Sequence, residues 1–185
     1  MNNKHCLALA VVSTLTAFST AAQEMTPSLY VGASLGAGKL TDMDSAVTNA
    51  TSVDRDTTVW TFYAGAQLEE YPWLALEVGY VDLGKVSLDD VRGDYKASGF
   101  DFAAKLIYDV DEQFNVFGRL GGIAYDWEAN GSACCNDSDM SASYGAGVTM
   151  NFQNNWNGVL EYRFYNNIGG SPDFHTYNLG VQYAF

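Results

Sequence analysis

From Ser28 to Phe185 the chain alternates apolar residues with small or polar ones, in repeated stretches of roughly 10 residues. Eight such stretches lie near 28–38, 58–68, 73–83, 98–109, 113–125, 141–152, 157–167 and 174–185. A period of two belongs to strands, and roughly 10 residues is the length of a tilted strand that crosses a bilayer. After residue 22 no apolar run reaches the roughly 20 residues of a membrane-spanning helix. A chain that spans a membrane without such a helix must close a barrel, because backbone groups at an open sheet edge find no partner in lipid. An even strand count lets the last strand pair with the first. The sequence therefore predicts an all-β fold, an eight-stranded antiparallel up-and-down transmembrane β-barrel.

The connections support this reading. Residues 39–57, 84–97 and 126–140 are long, 168–173 is a medium loop, and Glu69 to Pro72, Val110 to Glu112 and Gln153 to Trp156 are short. Barrels of the outer membrane keep tight turns on the periplasmic side and longer loops outside, so both termini are expected in the periplasm. In the third stretch Leu74, Leu76, Val78 and Tyr80 share one side, and Ala75, Glu77, Gly79 and Val81 the other. The polar face carries Gly, Ser and Thr with few charges, too few Lys and Glu for a solvated surface, which makes it the lumen and not the outside. Aromatic residues gather beside the short turns at Tyr71, Trp73, Tyr108, Phe114, Phe152, Trp156, Tyr183 and Phe185, the pattern of an interfacial girdle.

Residues 1–22 read as a cleaved secretory signal, with Lys4, an apolar run from Leu7 to Phe18 and small residues before Gln23, which leaves 23–185 as one barrel domain. Without Lys4 the nine basic residues become eight against 22 acidic ones, a charge of −14. Such a product repels nucleic acid, and no basic cluster offsets the repulsion.

Counted from the short-turn ends, Glu77, Lys105, Arg119 and Glu161 fall at one inward level and form a charged layer, with Asp101 and Arg163 as a second layer above it. An eight-stranded lumen is just wide enough for side chains, so these groups meet across it. They constitute either a satisfied polar core or a gate on a narrow pore. Acyl transfer would need a nucleophile beside a base. The one histidine after the leader, His175, lacks a serine two residues on, where Tyr177 stands, and reads as a loop-edge residue. No catalytic set, cofactor or metal site is expected. Adjacent Cys134 and Cys135 favour a vicinal disulfide over a zinc site, and the nearby carboxylates read as solvated loop charge.

The segment Leu160-Glu-Tyr-Arg-Phe-Tyr-Asn-Asn-Ile-Gly169 and the closing strand Leu179-Gly-Val-Gln-Tyr-Ala-Phe185 resemble the transmembrane domain of outer membrane protein A. Weaker matches occur at Leu76-Glu-Val-Gly-Tyr80, Ala104-Lys-Leu-Ile-Tyr108 and Arg119-Leu-Gly-Gly122. The resemblance implies that Tyr183 and Phe185 end in the signal read by the barrel-assembly machinery. It implies two interior ion pairs, of which this sequence keeps one, at Glu77 and Lys105. Thr149 and Val159 stand at the positions of the other, and losing both partners together avoids a stranded buried charge. Full-length members carry a peptidoglycan-binding domain after the barrel, whereas this sequence ends at Phe185, so peptidoglycan anchoring is not implied.

The expected function is structural: an integral outer-membrane barrel of a Gram-negative bacterium that supports envelope integrity and displays loops for adhesion or receptor-type roles. Its expected surroundings are outer-membrane lipids and lipopolysaccharide, the latter anionic and so reached through divalent cations. The alternatives are a low-conductance gated pore, a lipid-modifying enzyme, and a soluble periplasmic barrel or sandwich with the opposite face buried.

Overall fold

A computed structural model describes residues 27–41, 56–88, 93–130, 135–152, 155–168 and 173–185. The leader assigned to residues 1–22 and most of the first long connection lie outside the described residues. Eight strands follow in order: β1 (Pro27–Thr41), β2 (Asp56–Leu68), β3 (Tyr71–Leu88), β4 (Gly93–Asp109), β5 (Phe114–Asn130), β6 (Cys135–Asn151), β7 (Trp156–Tyr165) and β8 (Asp173–Ala184). Each pairs antiparallel with the next, and β8 returns to β1 through a register running from Tyr30 opposite Ala184 to Thr41 opposite Asp173. The sheet closes, as the even count requires.

Alternation decides which face each residue takes. Leu76 and Leu179 are 50% and 69% exposed on the outside, whereas their neighbours Glu77 and Asn178 retain 5% and 1%. This inside-out distribution, apolar outward and polar inward, excludes a soluble sandwich, which would bury its apolar face. The turn-proximal aromatics are exposed except Tyr183, which is half-buried where Trp156 packs on it at 5.1 Å and it packs on Phe185 at 5.3 Å.

The short turns are locally determined. Asp111 Oδ1 accepts bonds from the backbone N–H groups of Gln113 and Phe114, both at 2.8 Å, which turns the chain between β4 and β5. Between β6 and β7, Asn155 takes a left-handed φ of 65°, a conformation Asn tolerates.

Two connections differ from the sequence expectation. The long loops expected at 84–97 and 126–140 are largely strand: β3 and β4 stay paired out to Leu88 opposite Gly93, and β5 and β6 to Ala129 opposite Cys135. An 18-residue strand such as β3, tilted by about 40°, rises roughly 45 Å along the barrel axis, against an apolar band about 25 Å tall. The two hairpins therefore project beyond the bilayer. There the outward positions meet water and not lipid, so Lys96, Asp126, Glu128 and Ser138 are polar and exposed while Ala97 and Tyr125 stay buried on the inner face, and the apolar-outward alternation that marks a strand in lipid disappears. Near Gly84, whose φ is +78°, the β3 register shifts, and Asp82 Oδ1 accepts the Gly84 N–H at 2.8 Å.

Candidate functional site

Among the described residues, charge is concentrated away from water in the barrel interior. Parity points Glu77 (β3), Asp101 and Lys105 (β4), Arg119 (β5), and Glu161 and Arg163 (β7) into the lumen, where all six are buried. Lys105 Nζ lies 3.1 Å from Glu77 Oε1 and 3.9 Å from the centre of the Phe117 ring. Arg119 is the hub. Its Nη1 and Nη2 donate to the two oxygens of Asp101 at 3.1 and 2.9 Å, a bidentate fork. Its Nε faces Glu77 Oε2 at 3.3 Å and Glu161 Oε1 at 3.7 Å. Arg163 Nη2 donates to Glu161 Oε2 at 2.7 Å, and its Nη1 lies 3.6 Å from Asp101 Oδ2.

The two layers expected from sequence are thus one network, bridged where Arg119 reaches up to Asp101 and Arg163 reaches back to Glu161. Three cations face three carboxylates, so the cluster is neutral overall, the condition for holding charge in a site of low dielectric. Two tyrosines complete it: Tyr30 donates to Glu77 Oε1 at 2.9 Å and Tyr165 to Asp101 Oδ2 at 3.0 Å. Neither hydroxyl is evident from sequence, because each comes from a strand distant along the chain. Thr149 and Val159, at the positions of the second ion pair, are buried and face each other across β6 and β7.

Apolar groups lie on either side of the network. Toward the short turns, Tyr30 and Tyr63 meet edge to face at 6.4 Å, with Ala75, Ile107 and Ala184 around them. Toward the loop end Leu40, Val59, Val81, Leu83, Ala97, Ile123, Tyr125, Tyr165, Ile168 and Phe174 pack into one buried cluster. Sequence reasoning missed this plug. The signal was present, since those strand residues sit at inward parity, but Leu40 lies beyond the stretch of alternation assigned to β1.

A second aromatic belt on the outer face also went unread. Trp60, Tyr80 and Phe100 form a row at 5.6 and 5.5 Å, and Tyr144 stacks on Phe164 at 6.3 Å, nearer the loop end than the first girdle. His175 belongs to this belt. Its Nδ1 lies 2.6 Å from the Tyr162 hydroxyl, its Nε2 3.0 Å from Thr41 Oγ1, and its ring 5.0 Å from Phe164. Cys135 opens β6, while Cys134 and the disulfide assigned to the pair lie outside the described residues.

Comparisons with known proteins agree with this architecture. The model of the OmpA-like transmembrane domain matches residues 24–185. Outer membrane protein A of Yersinia pseudotuberculosis is 32% identical over 199 residues, covering 98% of this chain and 55% of its own length. That of Shigella flexneri is 31% identical over 194 residues, covering 96% and 55%. The chain thus spans about half the length of these relatives. Among solved structures, Neisserial surface protein A is similar with a TM-score of 0.64 at 13% identity, over 88% of this chain and 100% of that one. The attachment invasion locus protein Ail of Yersinia pestis follows at 0.61 and 15%, over 87% and 100%. These two show the fold alone. With its closed eight-stranded sheet, apolar exterior and charged lumen, and with the family match running from residue 24 to Phe185, the chain belongs to the OmpA-like transmembrane domains, integral β-barrels of the Gram-negative outer membrane.

Proposed function

We propose that this chain works as a structural barrel, a rigid cylinder that anchors in the outer membrane and carries its long hairpins into the space beyond. The filled interior carries the reading: aromatic layer, ion network and apolar plug occupy the lumen in succession, and the buried charges are spent on one another. In this reading the leader is removed after Ala22, Tyr183 and Phe185 complete the signal taken by the barrel-assembly machinery, and both termini stay in the periplasm beside the short turns. Lipids and lipopolysaccharide surround the outer face, with divalent cations bridging anionic headgroups to the acidic chain. The hairpins β3–β4 and β5–β6 then supply the surface for adhesion or receptor-type contacts. His175, its ring nitrogens both turned to hydroxyl groups of the wall, serves the aromatic belt and not catalysis.

The test is a strain lacking the gene, complemented with the whole chain or with a variant whose two hairpins are cut back to Asp82 and Ser98 and to Asp126 and Ser138. Loss of the chain should sensitise the envelope to detergents, and both complementing forms should restore resistance. Only the whole chain should restore surface binding. An envelope unchanged by the deletion would remove the structural role, and binding retained by the trimmed form would remove the hairpins from it.

A further inference from the structure

We propose that the open edge of β6, where it projects past the closed barrel, is a docking site for a basic, extended segment of another protein, which adds to the sheet as a further strand. The inference rests on the outward reach of the hairpins proposed above and names the kind of partner they take. β6 pairs with β5 without interruption from Met150 opposite Phe114 to Cys135 opposite Ala129, but its pairing with β7 ends at Ser143 opposite Tyr165. One more bond, from the Asn166 N–H to the Ala142 carbonyl at 3.0 Å, closes that side. In an antiparallel ladder the N–H and C=O of one residue point to the same neighbouring strand, and successive residues alternate between neighbours. Ala142 faces β7, so Met140, Ser138 and Asn136 turn their backbone groups the same way, where the described residues place no strand. The Met140 N–H is bonded accordingly: it donates to Oδ1 of the adjacent Asp139 at 2.7 Å.

An unpaired edge recruits strands, and proteins guard it with bulges, Lys, Pro or inward charges. The two edges of the projecting sheet differ in this respect. On the β3 side the register shifts between Asp82 and Lys85, Gly84 takes a φ of +78°, and Lys85 follows. On β6, Cys135 to Ser141 carry no Pro, no Lys and no register shift. What guards this edge is charge of a single sign. From Ile123 to Ser141 the chain holds Asp126, Glu128, Asp137 and Asp139 and no Lys or Arg. Asp126, Glu128 and Asp139 are exposed, and Lys96, which stands opposite Glu128, is turned to Asp82 at 3.6 Å. Such an edge repels an acidic strand, and a second copy of the same edge would bring its own Asp126, Glu128 and Asp139 against these. A strand with Lys or Arg at alternate positions meets the opposite situation. Its backbone pairs with Ser138 and the Met140 carbonyl, and its cations take the Asp139 carboxylate, which frees the Met140 N–H for the ladder.

The experiment follows amide hydrogen exchange in the whole chain folded in detergent micelles, where both ends of the barrel are reachable, with a short peptide alternating Thr and Lys as the probe. The Ser138 and Met140 amides should exchange freely in the protein alone and slow by at least about ten-fold with the peptide. A peptide alternating Thr and Glu, and a Thr-Lys peptide methylated on its backbone nitrogens, should leave them unchanged. Ser138→Pro removes an N–H on the open side and keeps the bonds to β5, so it should retain heat-modifiable migration and lower the affinity for the Thr-Lys peptide at least about ten-fold. The methylated peptide makes the same test on the wild-type chain should that variant fail to fold. No protection by the Thr-Lys peptide, equal protection by the Thr-Glu or methylated peptide, or undiminished binding to a folded Ser138→Pro overturns the proposal. So do edge amides already protected in the protein alone, which would mean that the chain covers its own edge, and protection that rises with protein concentration alone, which would mean that a second copy takes it. Peptide pairing in micelles without surface binding by cells would keep this site and remove its adhesive use, and surface binding without peptide pairing would do the reverse.

Discussion

Replacing Lys105 by alanine removes one cation from a network in which every carboxylate has more than one partner. Glu77 keeps Arg119 at 3.3 Å and the Tyr30 hydroxyl at 2.9 Å, so its charge stays compensated. The loss is then the pair itself and the cation over Phe117, about 2 kcal/mol, below the roughly 3 to 5 kcal/mol of a fully stranded buried charge. The reciprocal change is worse. Glu77→Ala leaves the Lys105 ammonium, on a residue 4% exposed, with no carboxylate in ion-pair reach among the described residues, which places it near about 4 kcal/mol. In the double variant neither charge is stranded, and about 3 kcal/mol remains for the cavity and the Tyr30 hydroxyl. The cycle should therefore show a coupling of about 3 kcal/mol, the upper part of the range for residues in direct contact. Urea unfolding of protein folded into lipid vesicles, followed by tryptophan fluorescence, measures all four corners. Effects that add within about 0.5 kcal/mol, or a Lys105 variant less stable than the Glu77 variant, would refute this partition of the network.

Three further outcomes follow from the geometry. Single cysteines at Leu76 and Leu179 should be quenched by lipid-phase probes and ones at Gly79 and Asn178 should not, and Leu76→Arg should cost roughly 2 to 4 kcal/mol if the position lies near the midplane. A Cβ on Gly32 would run into the Tyr63 ring and one on Gly65 into the Tyr30 ring, whereas Gly118 has open space. Gly32→Ala and Gly65→Ala should each cost roughly 1 to 3 kcal/mol in the same urea assay, with Gly118→Ala near neutral. Deleting Phe185, which is exposed at the chain end, should lower the yield of heat-modifiable protein in the outer-membrane fraction, and a wild-type yield would dissociate that residue from assembly.

The sequence by itself determined the number of strands, their antiparallel order and the face each residue takes, because a period of two permits no other local structure and lipid permits no open edge. The same logic placed Glu77, Lys105, Arg119 and Glu161 inside from parity and distance to the turns alone. What parity cannot supply is contact across the lumen. The Arg119–Asp101 fork joins strands neighbouring in the sheet, but the bonds from Tyr30 to Glu77 and from Tyr165 to Asp101 join residues 47 and 64 positions apart, set by closure of the barrel and its stagger. The plug is of the same kind: Leu40 and Phe174 at strand ends and Leu83 within β3 are ordinary apolar residues until the closed sheet brings seven strands to one level. The reach of the β3–β4 and β5–β6 hairpins beyond the bilayer was likewise decided in three dimensions, since water on the outer face removes the apolar-outward alternation while backbone pairing to the neighbouring strand continues.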